Sequence, residues 1–353
     1  MATALTNPAQ FKDIADAIRA KTGETGTIVA NDFAEKIAAI QTGMAKAEWT
    51  QTTISISSTR ESVCYGDGKF VTVGAFGESF TAGRAAYSTD GINWTEITLP
   101  SITTYWRSVC YGNGKFVAEP FDSNIAAYST DGINWTQTEL PGSRKWTSVC
   151  YGNGKFVAVC ANALLPAYSE DGITWSSGRL PFSIFWESVC YGNGKFVAMA
   201  NNSNSYATFY AAYSTDGINW TKITLPDSKC WNSVCYGMGK FVAVCENAYT
   251  SSSLKTDVVF YSEDGINWTQ TTMPVSAEWG SVCYGNGKFV AVASGSRDTN
   301  IAAYSTDGIN WTKSTMPVSG KWDSVCYGDG KFVAVSTSFN RMAYLKDSFD
   351  EWE

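Results

Sequence analysis

The chain of 353 residues contains no histidine. That removes the side chain that most often acts as a general base near neutral pH, and with it the commonest metal ligand. Catalysis would have to rest on carboxylates, tyrosine, lysine or thiols. Basic charge is scarce as well: 26 Lys and Arg stand against 33 Asp and Glu, for a net charge of −7. A phosphate-binding surface needs clustered Lys and Arg, and no such run occurs, so nucleic acid is excluded as an expected partner. No stretch approaches the roughly 18 apolar residues of a membrane span, so no membrane insertion is expected. The first residues lack the basic start and apolar core of a signal peptide. The ten cysteines show no C-x-x-C spacing, so neither a zinc site nor any other metal or cofactor is expected. They read as reduced thiols of a cytosolic product.

What is present is repetition. "SVCYG" occurs seven times, with its cysteine at Cys64, Cys110, Cys150, Cys190, Cys235, Cys283 and Cys326, at spacings of 46, 40, 40, 45, 48 and 43 residues. A period in the forties, rich in β-branched and aromatic residues, indicates propeller blades. Each unit resolves into four strands, as in "WESVCYG", "KFVAM", "AAYS" and "WTKITL" between Trp186 and Leu225. Asn193-Gly194 joins the first two, because Asn-Gly supplies the positive φ of a type I′ turn. The fold class expected is therefore all-β: a seven-bladed β-propeller of four-stranded antiparallel blades. Trp49 lies 15 residues before Cys64, as Trp268 does before Cys283. An N-terminal strand at 49–54 is thus expected to complete the last blade, with Trp352 a competitor for the same slot.

Residues 1–43 differ in kind. Asn7-Pro8 followed by Phe11, Ile14, Ala15 and Ile18 reads as a cap, an N1 proline and a helical apolar stripe. Asp32 opens a second such pattern with Phe33, Ile37 and Ile40. Helices this short are marginal alone, so a helical attachment or oligomerisation module is expected at 1–43, and the propeller at 44–353.

The motif joining the third and fourth strands, S-T/E-D-G-I-N/T-W, occurs six times. It places Asp90, Asp131, Asp171, Asp216, Asp264 and Asp307 four residues before Trp94, Trp135, Trp175, Trp220, Trp268 and Trp311. It resembles the Asp-box of sialidases and of many non-enzymatic propellers, a turn that in those proteins lies away from the active site and is structural. The aspartate suits backbone N–H groups of its own turn, and the tryptophan packs beneath. One carboxylate per loop falls short of a calcium cage. The seven repeated cysteines point the same way around the ring and cannot pair.

Sialidases also need an arginine cluster, a tyrosine nucleophile and an acid. Arg60, Arg84, Arg107, Arg144, Arg179, Arg297 and Arg341 do not stand in that family's Arg-Ile-Pro context, and near-identical blades leave little asymmetry for one active site. No catalytic residue is assigned, and the chain is expected not to be an enzyme.

Length variation falls between the second and third strands, where the distance from the "KF" phenylalanine to the next strand's tyrosine runs 17, 12, 12, 17, 20, 15 and 12. These Ser/Asn/Tyr-rich loops share one face, the composition of adaptable recognition surfaces. Trp106, Trp146, Trp186, Trp231, Trp279 and Trp322 begin the first strands near that face. They are candidates for stacking on sugars, against the plainer reading of packing between blades. Glu61, Arg107, Glu187 and Asp323, each just before "SV", break the symmetry and are candidates for a single axial site.

The stretch "FKDIADAIRAKTGETGTIVANDFAEKIAAIQTG" resembles a short helical module of tail- and baseplate-associated proteins of phages and prophages of Gram-positive bacteria. That resemblance implies a tail-associated receptor-binding protein, made in the host cytoplasm and displayed on the virion surface. Residues 1–43 would dock to a tail or baseplate protein or to sister chains, a homo-oligomer included. Its propeller would bind cell-surface carbohydrate, with multivalency strengthening weak sites. The rivals are a structural minor tail component without a ligand of its own, and a glycoside hydrolase of sialidase-like fold.

Overall fold

The computed structural model describes residues 48–54, 58–76, 82–100, 105–201, 208–246, 255–295, 298–338 and 341–346. The expected helices of 1–43 and Trp352 lie outside these residues. So does most of the length-varying loops.

The described residues are all-β, arranged in four-stranded antiparallel sheets. The first sheet runs Ser58–Gly66, Lys69–Phe76, Ala82–Ser88, Thr95–Ile97. The sixth runs Trp279–Gly285, Lys288–Ala293, Thr299–Ser305, Thr312–Gly320. The second to fifth follow the same pattern but are hydrogen-bonded into one path: two long strands serve two sheets each, and Ile184 and Phe185 pair with Ala163 and Ala161 to join the third sheet to the fourth. In Thr136–Gly152 the first residues pair backwards with Lys115–Ser129, while Trp146–Gly152 pair forwards with Lys155–Ala163. Thr221–Gly237 does the same two sheets further on, between the fourth and the fifth. In the seventh sheet Trp322–Gly328, Lys331–Ser336 and Met342–Lys346 are joined by Thr50–Thr52, which pairs antiparallel with Thr50 opposite Tyr344.

Local chemistry explains the regularity. The turn between the first two strands of each sheet is two residues long and left-handed at both: Asn113 has φ 46° and Gly114 φ 70°. Asn, Asp and Gly tolerate that conformation, and Met238, with φ 49°, is the exception among the seven turns. At the other turn the six repeated boxes are built alike. The Ser129 hydroxyl donates to Asp131 Oδ1 at 2.9 Å and accepts from Gly132 N–H, while Asp131 Oδ1 accepts from Ile133 and Asn134 N–H. Burial opposes the charge of Asp131, but the backbone and side chain of Asn134, the backbone of Ile133 and the Ser129 hydroxyl outweigh it. The carboxyl is held well below the usual carboxylate range, and Asp264 and Asp307 come down to about 2.

The core lies in layers between successive sheets. One layer gathers Val157 and Val159 of the third sheet with Trp186, Val189, Phe196, Ala198 and Trp220 of the fourth. Box tryptophans sit at the edge of such layers, Trp220 and Trp268 at 8% exposure and Trp49 at 5%. Successive sheets are also hydrogen-bonded. The valine N–H of each "SVC" donates to the serine Oγ of the preceding sheet: Val109 to Ser62, Val149 to Ser108, Val189 to Ser148, Val234 to Ser188, Val282 to Ser233 and Val325 to Ser281. The remaining one joins first sheet to last, Val63 N–H to Ser324 Oγ at 3.1 Å. All ten cysteines are free thiols.

Candidate functional site

Every first strand carries a β-bulge at the same point. The pairing register shifts between Arg60 and Ser62, Trp106 and Ser108, Trp146 and Ser148, Trp186 and Ser188, Trp231 and Ser233, Trp279 and Ser281, and Trp322 and Ser324. A bulge leaves one residue unpaired and re-aims side chains. Here the residue skipped is Glu61, Arg107, Thr147, Glu187, Asn232, Gly280 or Asp323. All seven line one cavity of about 390 Å³, with the seven "SVC" serines beside them.

Three polar networks line it. Arg107 Nη1 donates to Glu61 Oε2 at 2.7 Å, and its Nη2 donates to Glu187 Oε1 at 2.8 Å. One guanidinium therefore ties together the first, second and fourth sheets. In the seventh sheet Asp323 accepts from Ser294 Oγ and from the backbone and hydroxyl of Thr337. Asn201 Nδ2 donates to Asn232 Oδ1 at 2.7 Å, and Asn232 Nδ2 donates to the Trp279 carbonyl. Glu246 completes the lining.

The carboxyls hold their protons more tightly than usual. Burial raises Glu61; Arg107 opposes that rise and the charge of Asp323 adds to it. Burial likewise raises Glu187 against the pull of Arg107. Asp323 is raised by burial despite its hydrogen bonds from Ser294 and Thr337. Glu246 is pushed up to about 7 by burial and then by the charges of Glu278 and Glu187. Arg107 remains a firm cation: burial weakens its charge, but Glu187 and Glu61 more than restore it. A carboxyl that titrates near neutrality, as Glu246 does, is what acid–base chemistry without histidine requires.

The structure thus brings Glu61, Arg107, Glu187 and Asp323 into one cavity, and adds Thr147, Asn232, Gly280, Asn201 and Glu246, which the sequence reading passed over. A signal was present: the residue before "SV" runs Glu, Arg, Thr, Glu, Asn, Gly, Asp, between a serine that never changes and a tryptophan that changes once, to Arg60. The six tryptophans take the opposite course. Trp106, Trp146, Trp186, Trp231, Trp279 and Trp322 are at 0% exposure, so no ring face is open to a sugar. The bulge turns each indole into the layer between sheets and the next residue into the cavity. Among the described residues no group of three or more Cys, Asp or Glu is arranged to hold a metal ion, and no helix is long and apolar enough to cross a membrane.

No protein-family model and no curated protein sequence matches the chain. Solved structures do. A streptogramin B lyase superposes with a TM-score of 0.70 at 11% identity, over 84% of this chain and 97% of that one. The fold resembles that of a lyase. The virginiamycin B lyase of Staphylococcus aureus gives 0.71 at 11% identity over 85% and 99%, and an inactive histidine-to-alanine form of it, solved with quinupristin, gives 0.71 at 10% identity over 85% and 99%. YCF48 bound to a D1 peptide gives 0.64 at 14% identity over 85% and 95%.

These likenesses establish the fold and correct two expectations. The chain was expected to be a tail-associated, virion-displayed receptor-binding protein; the solved structures it resembles include lyases and YCF48, and the phage-tail reading is withdrawn. It was expected not to be an enzyme; the same architecture, matched over nearly the whole length of the lyase, carries catalysis there. Near-identity of the blades was one ground for that expectation, beside the missing arginine context of sialidases. That ground fails because one bulged residue per sheet, with Asn201 and Glu246, gives the cavity its asymmetry.

Proposed function

We propose that the chain is an acid–base enzyme that cleaves a C–O bond of a small polar substrate, with the cavity as its active site. The observation that carries this reading is the set of seven bulges. They direct one variable, mostly charged or polar residue from each otherwise uniform sheet into a single cavity. The first and last sheets are hydrogen-bonded through Val63 and Ser324, which supports a closed seven-bladed β-propeller with the cavity on its axis. Residues 1–43 are then a separate module ahead of a propeller at 44–353.

A lyase removes a proton with a base and protonates the departing oxygen with an acid. The related virginiamycin B lyase is inactive in a histidine-to-alanine form, and this chain has no histidine, so the proton transfers here fall to carboxylates. Glu246, pushed up to about 7, is the proton donor. Asp323, oriented by Ser294 and Thr337, is the base. Arg107, fixed by Glu61 and Glu187, stabilises negative charge that develops on the substrate oxygen. Glycoside hydrolysis is the second reading, since a pair of carboxyls with separated proton affinities performs it as well.

The test is a mass-spectrometric screen of the purified chain against cyclic esters including quinupristin, linear esters and glycosides. Hydrolysis adds the mass of water and elimination does not. We expect turnover in one class, reduced at least about 100-fold by Asp323→Asn and by Glu246→Gln. Turnover that both variants leave unchanged, or none in any class, would overturn the assignment.

A further inference from the structure

The seven "SVC" serines use only part of their bonding capacity. Each Oγ accepts the valine N–H of the following sheet at 3.1–3.2 Å. That bond takes a lone pair and leaves the O–H, and among the described residues no carbonyl or carboxylate of the chain accepts it. All seven serines line the cavity. Ser108, Ser188 and Ser281 are at 8% exposure, so for these hydroxyls the cavity is the open direction. A buried donor without an acceptor is costly. The bond each serine does make also sharpens the one it lacks. A hydroxyl that accepts an N–H is polarised and donates more strongly, and its pinned oxygen leaves rotation about Cβ–Oγ as its one freedom.

The acceptors of the lining, by contrast, are already met. Glu61 and Glu187 take the Arg107 guanidinium. Asp323 takes the hydroxyls of Ser294 and Thr337 and one backbone N–H. Asn232 Oδ1 takes Asn201 Nδ2. Glu246 holds its proton up to about 7, and below that it adds a further O–H. Charge then selects among acceptor ligands. Four carboxyls stand against one guanidinium in the described lining, and a negative charge desolvated beside them is disfavoured. An anion is a poor fit. The free hydroxyls suit the oxygens of an uncharged molecule, and Phe185 gives its carbon skeleton an apolar wall.

We propose that the cavity takes an uncharged molecule bearing several carbonyl oxygens, each received by the O–H of an "SVC" serine. This rests on the reading of the cavity as the active site and deepens it. Such a ligand leaves Glu246 its proton, which that reading has it donate. Donors fixed before the substrate arrives also stabilise negative charge as it develops on a carbonyl oxygen, and they do so beside Arg107. At about 390 Å³ the space is at the lower end of small-ligand sites.

Three five-membered rings of similar size separate oxygen count from shape: N-methylsuccinimide with two carbonyls, N-methylpyrrolidone with one and N-methylpyrrole with none. By ligand-observed NMR titration of the full-length chain, N-methylsuccinimide is expected to bind saturably. Each carbonyl removed is expected to weaken binding about fivefold, the equivalent of one hydrogen bond. Alanine placed at the seven serines in turn should lower the urea midpoint by similar amounts, because each variant gives up the same valine contact. The affinity for N-methylsuccinimide should instead fall unequally, at least about fivefold at the serines that hold its carbonyls and little at the rest. The carbonyl series is read on the unaltered protein, so a variant that misfolds does not remove the test. Equal affinity for the three rings, an affinity that all seven variants leave unchanged, or no saturable binding of N-methylsuccinimide would overturn the proposal. If binding follows carbonyl number but no substrate is turned over, the enzymatic reading fails and the carbonyl site stands. If turnover depends on Asp323 but none of the serine variants alters its KM or kcat, the carbonyl site fails and the active site stands.

Discussion

Asp131 and its five counterparts concentrate much of the fold's local order in one carboxylate each. The Oδ1 atom of Asp131 takes the Ser129 hydroxyl and the N–H groups of Ile133 and Asn134, and its Oδ2 takes Asn134 Nδ2. All of these favour the charged form, so the folded carboxyl releases its proton at lower pH than the unfolded one. Stability from such a group is present above the unfolded value, near 3.9, and is lost as pH falls through the folded value. For Asp264 and Asp307 that value is about 2, so the window is roughly pH 4 to 2. Urea midpoints should fall through this window, and Asp131→Asn should make the fall shallower. The same variant should cost about 1 kcal/mol at neutral pH, because the amide keeps some acceptor geometry and loses the charge. A midpoint flat from pH 4 to 2 would show that these turns carry no net ionic stabilisation.

At the scale of the strand pair, two glycines three residues or fewer apart do different work. Gly154 stands in the two-residue turn at φ 74° with nothing within 4 Å of a would-be Cβ. Gly154→Ala should cost only the backbone strain, about 1 kcal/mol. Gly152 is forced by a neighbour instead: a Cβ there would lie 2.0 Å from Cγ of Tyr191, the tyrosine of the next sheet. That ring is itself packed on Phe196 with centroids 4.8 Å apart, so it cannot yield cheaply. Gly152→Ala should cost about 3 kcal/mol or more, read as a lower urea midpoint at unchanged slope. Equal losses for the two variants would mean that the tyrosine moves aside freely.

Much of this element was legible beforehand. Asn-Gly or Asp-Gly between "CYG" and "KF" marks a tight hairpin, and the six boxes fix the other turn. The bulge was not legible, because no residue type demands it. It arises where the valine N–H of one sheet is taken by the serine of the one before and the indole is drawn into the layer between them. Glu61, Arg107, Glu187 and Asp323 could be singled out because charge stands out against repetition. Thr147, Asn232 and Gly280 occupy the same bulge with quieter side chains, and Glu246 and Asn201 reach the cavity from the ends of second strands. The tryptophans were misplaced for the same reason: without the bulge, Trp186 and Glu187 cannot be assigned to core and cavity.

At the scale of the whole molecule, the seventh sheet is the only one among the described residues that joins the earliest strand to the latest. Thr50–Thr52 supplies its fourth strand against Met342–Lys346. The flanking side chains are buried on both sides of that sheet, Trp49 with Trp322, Val325 and Phe332, and Ile54 with Val63, Phe70 and Val335. Burying one indole removes ~150–250 Å² from water, on the order of 4–6 kcal/mol as an upper estimate, and Ile54 adds about 2 kcal/mol. Losing the strand would also uncover the edge of Met342–Lys346, a template for pairing with another chain. A chain that begins at residue 44 should therefore melt within a few degrees of the full-length protein, as separate modules at 1–43 and 44–353 require. A chain that begins at residue 55 should lose roughly 6 kcal/mol, lower its melting temperature by well over 10 °C, and associate in a concentration-dependent way by light scattering. If the two truncated chains melted together, the strand would be an ornament of the last sheet and the closure would reside in Val63 and Ser324 alone. If the chain from 44 already melted low, residues 1–43 would belong to the propeller's own stability and the division between the modules would fall.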